Sequence, residues 1–565
     1  MKGAEAIVKS LQAEGVKHIF GITGGAIMEV YDVFHGLDEG DLRHILVRHE
    51  QVAAHAAEGY ARATGKVGVC MATSGPGATN LVTGIADAYC DSTPIVALTG
   101  QVSTNLIGND AFQEADIIGI TMPITKHNFQ ITDVEDIPKT FRAAFKIAAS
   151  RRPGPVLIDL PKNMQQTKMS NFVYPKDVEL PGYKAAVGGG HPVQLKNAAK
   201  MLLAAERPVI LAGGGVILSG ASHELRKLAE SLNIPVTTTL MGKGAYPEDM
   251  PLSLGMLGMH GTKAANLMVT ESDLLFSVGV RFSDRITCDV KYFAPDAKIV
   301  HIDIDSAEIG KNVRVDLPIV GDAKLVLKDL LRILEKAKRK DGTEWHRKLE
   351  KYKKEYASCW DYDSTPIKQP RIMKEISNLI DNKTIVTTEV GQCQMFAAHY
   401  LKIKDPRHFI SSGGLGTMGA GFPFAIGAKV AKPDHKVIDV GSEGSFLMTC
   451  QDLATCIEEE IPVTVALLRN NYLGMVKQWQ DLFYEKRHSH TYLGETPDFM
   501  KLAEAFGAKG LKIDRPSEVR DALKLAMESD ETYVLEFPVD PNEQAVPMVP
   551  ATGRICNMIE RHHLK

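Results

Sequence analysis

The sequence predicts an α/β protein built from three tandem open parallel sheets with helices on both faces. Short apolar, β-branched runs alternate with helical patterns along the whole chain of 565 residues, and such alternation is typical of repeated βα units. At roughly 100–200 residues per domain, the length corresponds to about three or four domains. The apolar runs fall into three sets of five, which we interpret as the strands of three sheets.

Each set of predicted strands occupies one part of the chain. The first set is predicted at 18–24, 44–48, 67–75, 94–100 and 155–161. The second is predicted at 208–216, 235–242, 274–280, 298–305 and 318–323. The third is predicted at 384–391, 408–414, 436–445, 462–471 and 532–540. Amphipathic patterns between the strands, such as those of 1–16 and 223–232, predict the connecting helices.

Two intervals with a different character separate the three sets. Residues 165–192 contain Pro175, Pro181 and a run of three glycines without periodicity, which predicts an extended surface linker. Residues 334–370 carry dense mixed charge at helical spacing, as in a solvated helix that bridges domains; a basic docking surface is the alternative. We therefore expect domains at 1–165, 190–335 and 366–545, followed by a C-terminal tail at 546–565.

Composition excludes several classes of function. Lys and Arg total 65 against 69 Asp and Glu, a net charge of −4, so no global positive field attracts nucleic acid or an anionic membrane. The eight cysteines form no CxxC pair, which argues against a disulfide scaffold or a zinc ribbon. Neither a targeting segment nor an apolar run of about 18 residues is evident. We expect a cytoplasmic protein with small-molecule ligands and without nucleic-acid or membrane partners.

The third set of strands carries a pair of candidate metal ligands. Glu443 follows one predicted strand and Asn470 follows the next, so both side chains are expected at the carboxyl edge of a parallel sheet, where ligands bind. Oxygen donors beside a glycine-rich turn that opens a helix suit Mg²⁺ bridging to a diphosphate. The alternative is that these are turn residues with capping roles.

The first set places an acid, Glu50, at the start of an alanine-rich helix. Alanine lets another element pack closely, so we expect this carboxyl group to be desolvated and its proton affinity raised. Such a group can hold one proton against a ring nitrogen. The alternative is an acid that only complements the helix dipole, and we interpret the neighbouring His49 and His55 as surface or helix-packing residues.

Long motifs carry a resemblance over essentially the whole chain. They are RHEQVAAHAAEGYARATGKVGV, TSGPGATNLVTGIADAY, DAFQEADIIGITMPITKHNF, RPGPVLIDLPK, GMLGMHGTKAANL, TTEVGQ, GGLGTMGAG, YLGMVKQWQDLFYEKRHSHT and PMVP. With them the chain resembles the catalytic subunits of the acetolactate synthase family, within the thiamine-diphosphate enzymes. The resemblance implies three cofactors: thiamine diphosphate, Mg²⁺ and a structural FAD.

The resemblance also implies roles for individual residues. Glu50 would bond N1′ of the aminopyrimidine, and Gly416 and Met418 would hold that ring. The implied Mg²⁺ ligands are Glu443, Asn470 and Tyr472, the last through its carbonyl. Other implied contacts to thiamine diphosphate are Gln392, Cys393, Gly444, Ser445 and Met475. The implied substrate-side residues are Arg281 for a carboxylate, Trp479 for pocket shape, and Gly25, Phe112, Gln113 and Lys126; for Phe112 and Lys126 a structural role is the alternative.

The middle part of the chain resembles the family's FAD-binding domain. Its glycine run and strand-end acids suit a dinucleotide. The implied flavin contacts are Arg152, Gly213, Gly214, Gly215, Thr239, Leu240, Met241, Leu257, Gly258, Met259, His260, Gly279, Val280, Arg285, Asp303, Ile304, Asp322 and Ala323.

Several positions depart from the family pattern. The metal turn, usually Gly-Asp-Gly, is Ser442-Glu443-Gly444, and the usual Asn-Asn pair is Arg469-Asn470. Because Glu is one methylene longer than Asp and Mg²⁺ tolerates poor geometry badly, we expect weaker or altered metal affinity. The remaining departures are Thr23 for Pro, Cys393 for His and Ser283 for an acid; flavin binding is expected despite Ser283.

The implied activity is that of a transferase in branched-chain amino-acid biosynthesis. It decarboxylates pyruvate on thiamine diphosphate and joins the two-carbon unit to a second pyruvate or to 2-ketobutyrate. The alternatives are another thiamine-diphosphate carboligase or decarboxylase of 2-keto acids, and a catalytically degraded paralogue that only binds cofactors or a partner. Expected partners are a second copy of the chain, in a homodimer or homotetramer, and a small regulatory subunit.

Overall fold

The computed structural model describes residues 1–38, 40–184, 187–337, 343–360 and 362–563. Its strands form three six-stranded sheets, and each sheet is parallel throughout. Alternate strand residues face two separate apolar clusters: in the first sheet Phe20 packs into one and Ile19 into the other. The predicted fold class, open parallel sheets covered by helices on both faces, is confirmed.

The first sheet has the strand order β2-β1-β3-β4-β6-β5. Its elements are α1 (Gly3–Ala13), β1 (His18–Gly21), α2 (Met28–Phe34), β2 (Arg43–Leu46), α3 (Glu50–Thr64), β3 (Gly68–Ala72), α4 (Pro76–Asn80), α5 (Val82–Asp91), β4 (Ile95–Gln101), α6 (Ile117–Thr121), β5 (His127–Gln130), α7 (Ile137–Ala149), β6 (Val156–Pro161) and α8 (Lys162–Gln166).

The second sheet has the order β12-β11-β10-β7-β8-β9. Its elements are α9 (Pro192–Ala204), β7 (Pro208–Ala212), α10 (Gly214–Leu218), α11 (Ser222–Leu232), β8 (Val236–Thr238), β9 (Ser253–Met256), α12 (Lys263–Thr270), β10 (Leu274–Val278), α13 (Asp284–Thr287), β11 (Lys298–Asp303), β12 (Leu317–Val320), α14 (Ala323–Ile333) and α15 (Glu344–Glu355).

The third sheet has the order β14-β13-β15-β16-β18-β17. Its elements are α16 (Gln369–Leu379), β13 (Thr384–Thr388), α17 (Gln392–Tyr400), β14 (Phe409–Ser411), α18 (Gly421–Ala431), β15 (Lys436–Ser442), α19 (Glu443–Phe446), α20 (Leu453–Glu458), β16 (Thr464–Arg469), α21 (Gly474–Phe483), α22 (Phe499–Ala505), β17 (Lys509–Lys512), α23 (Val519–Met527) and β18 (Tyr533–Pro538).

Every sheet contains one strand that the sequence analysis missed. These strands are β5, β9 and β17, and each lies at an edge of its sheet. Each is four residues long, and their sequences are HNFQ, SLGM and KGLK. None of the three contains a β-branched residue, so they lack the apolar run by which the other strands, including the opposite edge strands β2, β12 and β14, were recognised.

The alanine-rich helix α3 of the first sheet packs closely against α18 of the third. Their contact passes over Gly59 and Gly427: a Cβ at Gly59 would overlap the backbone of Phe424, and one at Gly427 would overlap the backbone of Ala56. The edges of the His55 and Phe424 rings also meet there, with centroids 5.5 Å apart. Two sheets that are remote in sequence are thus joined through helices with little side-chain bulk, as the alanine content predicts.

The two intervals between the strand sets have different structures. Between α8 and α9 the described residues form neither helix nor strand, as expected for a linker. In the charged interval, residues 338–342 and 361 lie outside the described residues, and α15 packs Trp345 and Leu349 into an apolar cluster of the second sheet. Among the described helices, none has the length and apolar character needed to cross a membrane.

Candidate functional site

Glu443 and Asn470 meet at the carboxyl edge of the third sheet, as their positions after two strands predict. Strands β15 and β16 are neighbours, with Ser442 opposite Leu468, so the residues that follow them emerge side by side. The backbone N–H of Asn470 donates to Oε1 of Glu443 at 3.1 Å. The parallel register therefore brings an acid and an amide together from separate turns.

The Glu443 carboxylate is suited to receive a cation. Its side chain is only 3% exposed, and its Oε2 atom has no hydrogen-bond partner within the described part of the chain. Burial raises the pKa of Glu443 to about 7, although backbone N–H groups and the charge of Arg469 act in the opposite direction. A buried carboxylate oxygen without a partner is costly, and a bound metal ion would remove that cost.

The amide of Asn470 is held in one orientation. Its Oδ1 accepts from the backbone N–H of Tyr472 at 2.9 Å, and its Nδ2 donates to Oε1 of Gln392 at 3.2 Å. Gln392 in turn donates to Oε1 of Gln478 at 2.8 Å and to the carbonyl of Glu543 at 3.1 Å. Gln392 thus lies at the edge of the site and fixes the direction in which Asn470 presents its oxygen.

Arg469 and Cys393, two of the departures from the family pattern, have defined places. Arg469 leaves the site: it donates to Oδ1 of Asn471 at 2.8 Å and pairs with Glu536 at 3.1 Å. The Cys393 thiol is buried beside the metal turn, with Sγ 3.7 Å from Oγ of Ser442, and burial raises its pKa. Neither side chain blocks the free oxygen of Glu443.

The segment 412–419, between β14 and α18, lies beside the metal turn. Met418 approaches it closely, since a Cβ placed on Gly444 would be 3.9 Å from its Cε. Gly416 has a φ of 73° and open space where a Cβ would be. The hydroxyl of Ser445 donates to Oε2 of Glu389 at 2.5 Å. The Ser445 side chain therefore faces the protein interior, and a ligand would contact Ser445 through its backbone.

The sequence analysis missed three buried acids around this segment. Glu389 accepts from the backbone N–H of Gly419 and of Phe422, each at 2.9 Å. Asp87 and Asp91 reach the segment from α5 of the first sheet. In the sequence these aspartates follow helical spacing and look like ordinary helix residues, so no local signal distinguishes them.

Glu50 opens α3 at the carboxyl edge of the first sheet, after β2. Its Oε2 accepts from Asn80 Nδ2 at 2.9 Å, and no hydrogen bond among the described residues joins it to the third sheet. It is half-buried, so the desolvation that we expected is not found within a single chain. Another surface would have to cover Glu50 to produce it.

The other predicted pocket residues of the first sheet are spread over its edge. Gly25 has open space around it, and Phe112 is 87% exposed. Gln113 has a φ of 60°, with its backbone against Gly75. Lys126 turns away: its amine donates to the carbonyl of Ser150 at 2.8 Å at the end of α7, and burial lowers its pKa to about 8. These bonds agree with a structural role for Lys126, and its contact with substrate stays a prediction.

Arg281 and Trp479 belong to two further elements. Arg281 follows β10 and lies near Cys90, where its charge lowers the pKa of a thiol that burial raises. Trp479 is 37% exposed on α21, the helix that also carries Met475. Within the described residues, no recorded hydrogen bond engages the Arg281 guanidinium.

The predicted flavin contacts gather along the carboxyl edge of the second sheet. Gly213 and Gly215 open α10 against Gly279, and a Cβ on Gly215 would lie 2.7 Å from the Gly279 Cα. Burial raises the pKa of Asp303, at the end of β11, to about 6. Arg152 donates to Glu308 at 2.8 Å from the first sheet. The remaining contacts follow the ends of β7 to β12: Gly214, Thr239, Leu240, Met241, Leu257, Gly258, Met259, His260, Val280, Arg285, Ile304, Asp322 and Ala323.

The arrangement of three parallel sheets in one chain matches known proteins along its length. Family models for thiamine pyrophosphate enzymes match residues 1–120 (N-terminal TPP binding domain), 195–330 (central domain) and 389–537 (C-terminal TPP binding domain). A probable acetolactate synthase large subunit of Methanocaldococcus jannaschii is 59% identical over 99% of this chain and 95% of its own. The chain belongs to the acetolactate synthase large-subunit family of thiamine pyrophosphate enzymes.

Relatives in this acetolactate synthase family extend over distant organisms. A probable large subunit of Methanococcus aeolicus is 56% identical over 99% of this chain and 95% of its own. The acetolactate synthase isozyme 3 large subunit of Escherichia coli is 45% identical over 97% of this chain and 96% of its own. The resemblance found in the sequence motifs is thus confirmed, and the chain is an enzyme that uses thiamine diphosphate.

Proposed function

We propose that the protein is an acetolactate synthase. It decarboxylates pyruvate and joins the two-carbon unit to a second pyruvate, giving 2-acetolactate, or to 2-ketobutyrate, giving 2-aceto-2-hydroxybutyrate, in branched-chain amino-acid biosynthesis. The observation that carries the proposal is the identity of 45–59% with acetolactate synthase large subunits over nearly the whole chain. The geometry of the third sheet's ligand edge agrees with it.

Mg²⁺ would bind at the metal turn. Its ligands would be the free Oε2 of Glu443, Oδ1 of Asn470 and the carbonyl of Tyr472, a set of hard oxygen donors that this ion prefers. The cofactor diphosphate would complete its coordination. Gln392, Cys393, Gly444 and Ser445 surround the same turn and would contact the diphosphate, with Ser445 acting through its backbone because its hydroxyl is bound to Glu389.

Thiamine diphosphate supplies an electron sink that stabilises the carbanion left when carbon dioxide departs. Gly416 and Met418 would hold its aminopyrimidine, since Gly416 has open space beside it and Met418 packs toward the metal turn. Met475 would contact the cofactor from α21. Glu50 would hold a proton at N1′ of the ring, which requires a carboxyl group shielded from water.

The active site would form between two chains. Glu50 is half-buried in a single chain, and no hydrogen bond among the described residues joins it to the third sheet, so the third sheet of a second copy would cover it. We therefore propose a homodimer or a homotetramer, with domains at 1–165, 190–335 and 366–545 and a tail at 546–565. Because its relatives are named large subunits, we also propose a small regulatory subunit as a partner.

Arg281 and Trp479 would select the second 2-keto acid. The planar guanidinium of Arg281 can bind a carboxylate through two hydrogen bonds, and the indole of Trp479 would limit the space for its side chain. Gly25, Phe112 and Gln113 would line the opposite wall. Lys126 would line the same wall, with the structural role at the end of α7 as the alternative.

FAD would bind at the carboxyl edge of the second sheet, which presents the glycine run 213–215 and the strand-end acid Asp303 as dinucleotide sites do. It would act as a bound structural cofactor without net redox change. Reconstitution of the purified chain with FAD should give a yellow protein with a flavin spectrum after gel filtration. A colourless protein would refute this part of the proposal.

Product analysis tests the proposed reaction directly. The purified protein is incubated with pyruvate, thiamine diphosphate and Mg²⁺, with and without FAD, and acetolactate and acetaldehyde are measured. Acetolactate as the main product is expected. Acetaldehyde without acetolactate would indicate a simple decarboxylase, and absence of turnover at saturating cofactors would indicate a degraded paralogue.

A further inference from the structure

The segment 412–419 has few side chains with which to fix its own shape. Its sequence is SGGLGTMG, and it connects β14 to α18. Gly416 and Gly419 adopt positive φ angles of 73° and 81°. Glycine reaches positive φ without strain, but it adopts negative φ about as readily. Its conformation must therefore be specified by groups outside the segment.

Asp91 binds the beginning of the segment with both carboxylate oxygens. Oδ2 accepts from the backbone N–H of Gly413 at 2.9 Å, and Oδ1 accepts from that of Gly414 at 2.7 Å. Asp91 is buried at the end of α5, where it also lies 3.4 Å from Arg62. Two parallel bonds to consecutive N–H groups fix the direction of this part of the chain.

Asp87 acts on the middle of the segment through Ser412. The Ser412 hydroxyl donates its only proton to Oδ1 of Asp87 at 2.5 Å. Its oxygen is then free to accept, and it receives the backbone N–H groups of Gly416 at 3.0 Å and Thr417 at 2.9 Å. The acid thus determines how the serine is oriented, and the serine determines where Gly416 lies.

The far end of the segment is bound within the third sheet itself. The backbone N–H of Gly419 donates to Oε2 of Glu389 and also to the hydroxyl of Ser445, each at 2.9 Å. Glu389 therefore fixes one end from the same sheet, and the aspartates of α5 fix the other end from a different sheet.

We propose that Asp87 and Asp91 are positioning residues that hold the 412–419 segment in the conformation needed for cofactor binding. The proposal rests on the proposed function, in which Gly416 and Met418 contact the aminopyrimidine. Neither aspartate touches the cofactor in this scheme. Each acts through the backbone of a glycine-rich segment on which the cofactor contacts lie.

The two aspartates should respond differently to replacement by asparagine. Asp91 accepts a hydrogen bond with each of its two carboxylate oxygens. An asparagine in its place would accept only one of these bonds, and its amide NH₂ group would face the second backbone N–H, donor against donor. Asp87 uses one oxygen for Ser412, while a carboxylate oxygen of Glu58 lies within 4.8 Å of its other side. An asparagine there can keep the Ser412 bond and donate to Glu58.

The experiment uses the full-length enzyme and compares Asp91→Asn, Asp87→Asn and Asp87→Ala. The matched control is Asp159→Asn, a buried acid of the same sheet that accepts from Thr99, Gln101 and Gln130. Thiamine diphosphate affinity at saturating Mg²⁺ is measured by intrinsic tryptophan fluorescence, because Trp479 lies on α21 beside the site. Acetolactate kcat, KM for pyruvate and Tm are measured on the same samples.

We expect Asp91→Asn and Asp87→Ala to weaken cofactor binding at least tenfold, with KM for pyruvate changed less than threefold at saturating cofactor. Asp87→Asn should rescue affinity to within threefold of the parent, and Asp159→Asn should leave it unchanged even where Tm falls. If Asp87→Ala does not fold, Ser412→Ala replaces it, since it removes the same support from Gly416.

Equal cofactor affinity in Asp91→Asn, Asp87→Ala and the control would overturn the proposal, as would equal loss in Asp87→Asn and Asp87→Ala. Failure of the proposed function has a different signature. In that case the parent enzyme binds thiamine diphosphate but makes no acetolactate, and the affinity comparison among the variants still decides the role of the aspartates.

Discussion

Glu443 determines how the metal turn can bind an ion, because one of its carboxylate oxygens is bound to Asn470 and the other is free. The neutral form of this buried acid cannot act as a metal ligand of the same strength, and the added methylene relative to aspartate moves the free oxygen further from the backbone. Substitutions of Glu443 should therefore change the Mg²⁺ concentration that the enzyme requires more than they change the fold.

The Mg²⁺ requirement should change with the length and charge of residue 443. Glu443→Asp should lower the half-activating Mg²⁺ concentration at least threefold, since the shorter acid is the one that the usual family turn contains. Glu443→Gln has the parent's length without its charge and should raise that concentration at least 100-fold. Titration of metal-free enzyme with Mg²⁺ at saturating thiamine diphosphate measures both, and equal constants in parent and Glu443→Asp would contradict the prediction.

Individual residues were predictable where chain position alone brings them together. Glu443 and Asn470 follow neighbouring parallel strands, so the sheet register places them in contact. The hydrogen bonds of Lys126 were not predictable, because its partner carbonyls at the end of α7 are available only once α7 has packed. Asp91 was missed because its partners are backbone groups that lie over 300 positions away in the sequence, in a segment whose conformation no local pattern reveals.

At the level of elements, α21 begins on a residue that requires the absence of a side chain. A Cβ on Gly474 would overlap Oε1 of Gln392 and lie 2.7 Å from Nδ2 of Asn470. The first turn of α21 therefore packs directly on the amide pair that orients the metal ligand.

Gly474→Ala should consequently weaken Mg²⁺-dependent thiamine diphosphate binding by at least tenfold, because Gln392 and Asn470 must shift to admit the methyl group. Gly188→Ala is the matched control, since a Cβ there meets nothing within 4 Å. Cofactor titration of both variants checks the prediction; an unaffected Gly474→Ala would show that the amide pair can rearrange without cost.

Helices α3 and α5 enclose a group of titratable side chains, and this should make stability depend on pH. Burial raises the pKa of Glu58 to about 7, against the opposing charge of Arg62 and with support from Asp91. His55 and Asp87 face the same carboxyl group. Since the folded state holds a proton that the unfolded state releases near pH 4.5, the contribution of Glu58 to stability is present at low pH and lost as pH rises toward 7.

Replacing Glu58 by glutamine removes this titration. The Tm of Glu58→Gln relative to the parent should therefore be higher at pH 8 than at pH 5 by a few degrees. In free energy of unfolding the corresponding change is at most about 3 kcal/mol. Thermal unfolding at the two pH values measures it. A Tm difference that is independent of pH would show that Glu58 is ionised throughout.

The elements themselves were predicted unevenly for a physical reason. Interior strands are buried on both faces and are recognised by their apolar runs. The edge strands β5, β9 and β17 were missed because their sequences HNFQ, SLGM and KGLK lack such a run, whereas the opposite edge strands β2, β12 and β14 coincide with predicted apolar runs. The alanine content of α3 predicted that another element packs closely against it. The sequence did not show that this element is α18.

At the scale of the whole molecule, the proposed dimer would hold two equivalent sites. Each chain would contribute its Glu50 to one site and its Glu443 and Asn470 to the other.

Two inactive variants should therefore complement each other. Glu50→Gln and Asn470→Ala should each be nearly inactive alone, whereas chains mixed and reassembled at equal ratio should regain about a quarter of the parent's activity. Half of the dimers would be mixed, and each mixed dimer would contain one intact site. Acetolactate assays after co-refolding or co-expression measure the recovery, and no recovery in mixed dimers would place both residues of each site in one chain.

The contact between α3 and α18 also has a consequence for synthesis of the chain. Helix α3 ends at Thr64 and α18 begins at Gly421, so at about 5–20 residues per second the ribosome needs on the order of 20–70 s to make the interval. During that time the bare face around Gly59 and the carboxylates of Asp87 and Asp91 lack their partners from the third sheet. The nascent first sheet must therefore persist with this surface uncovered, and a shielding chaperone would find its target there until α18 leaves the ribosome.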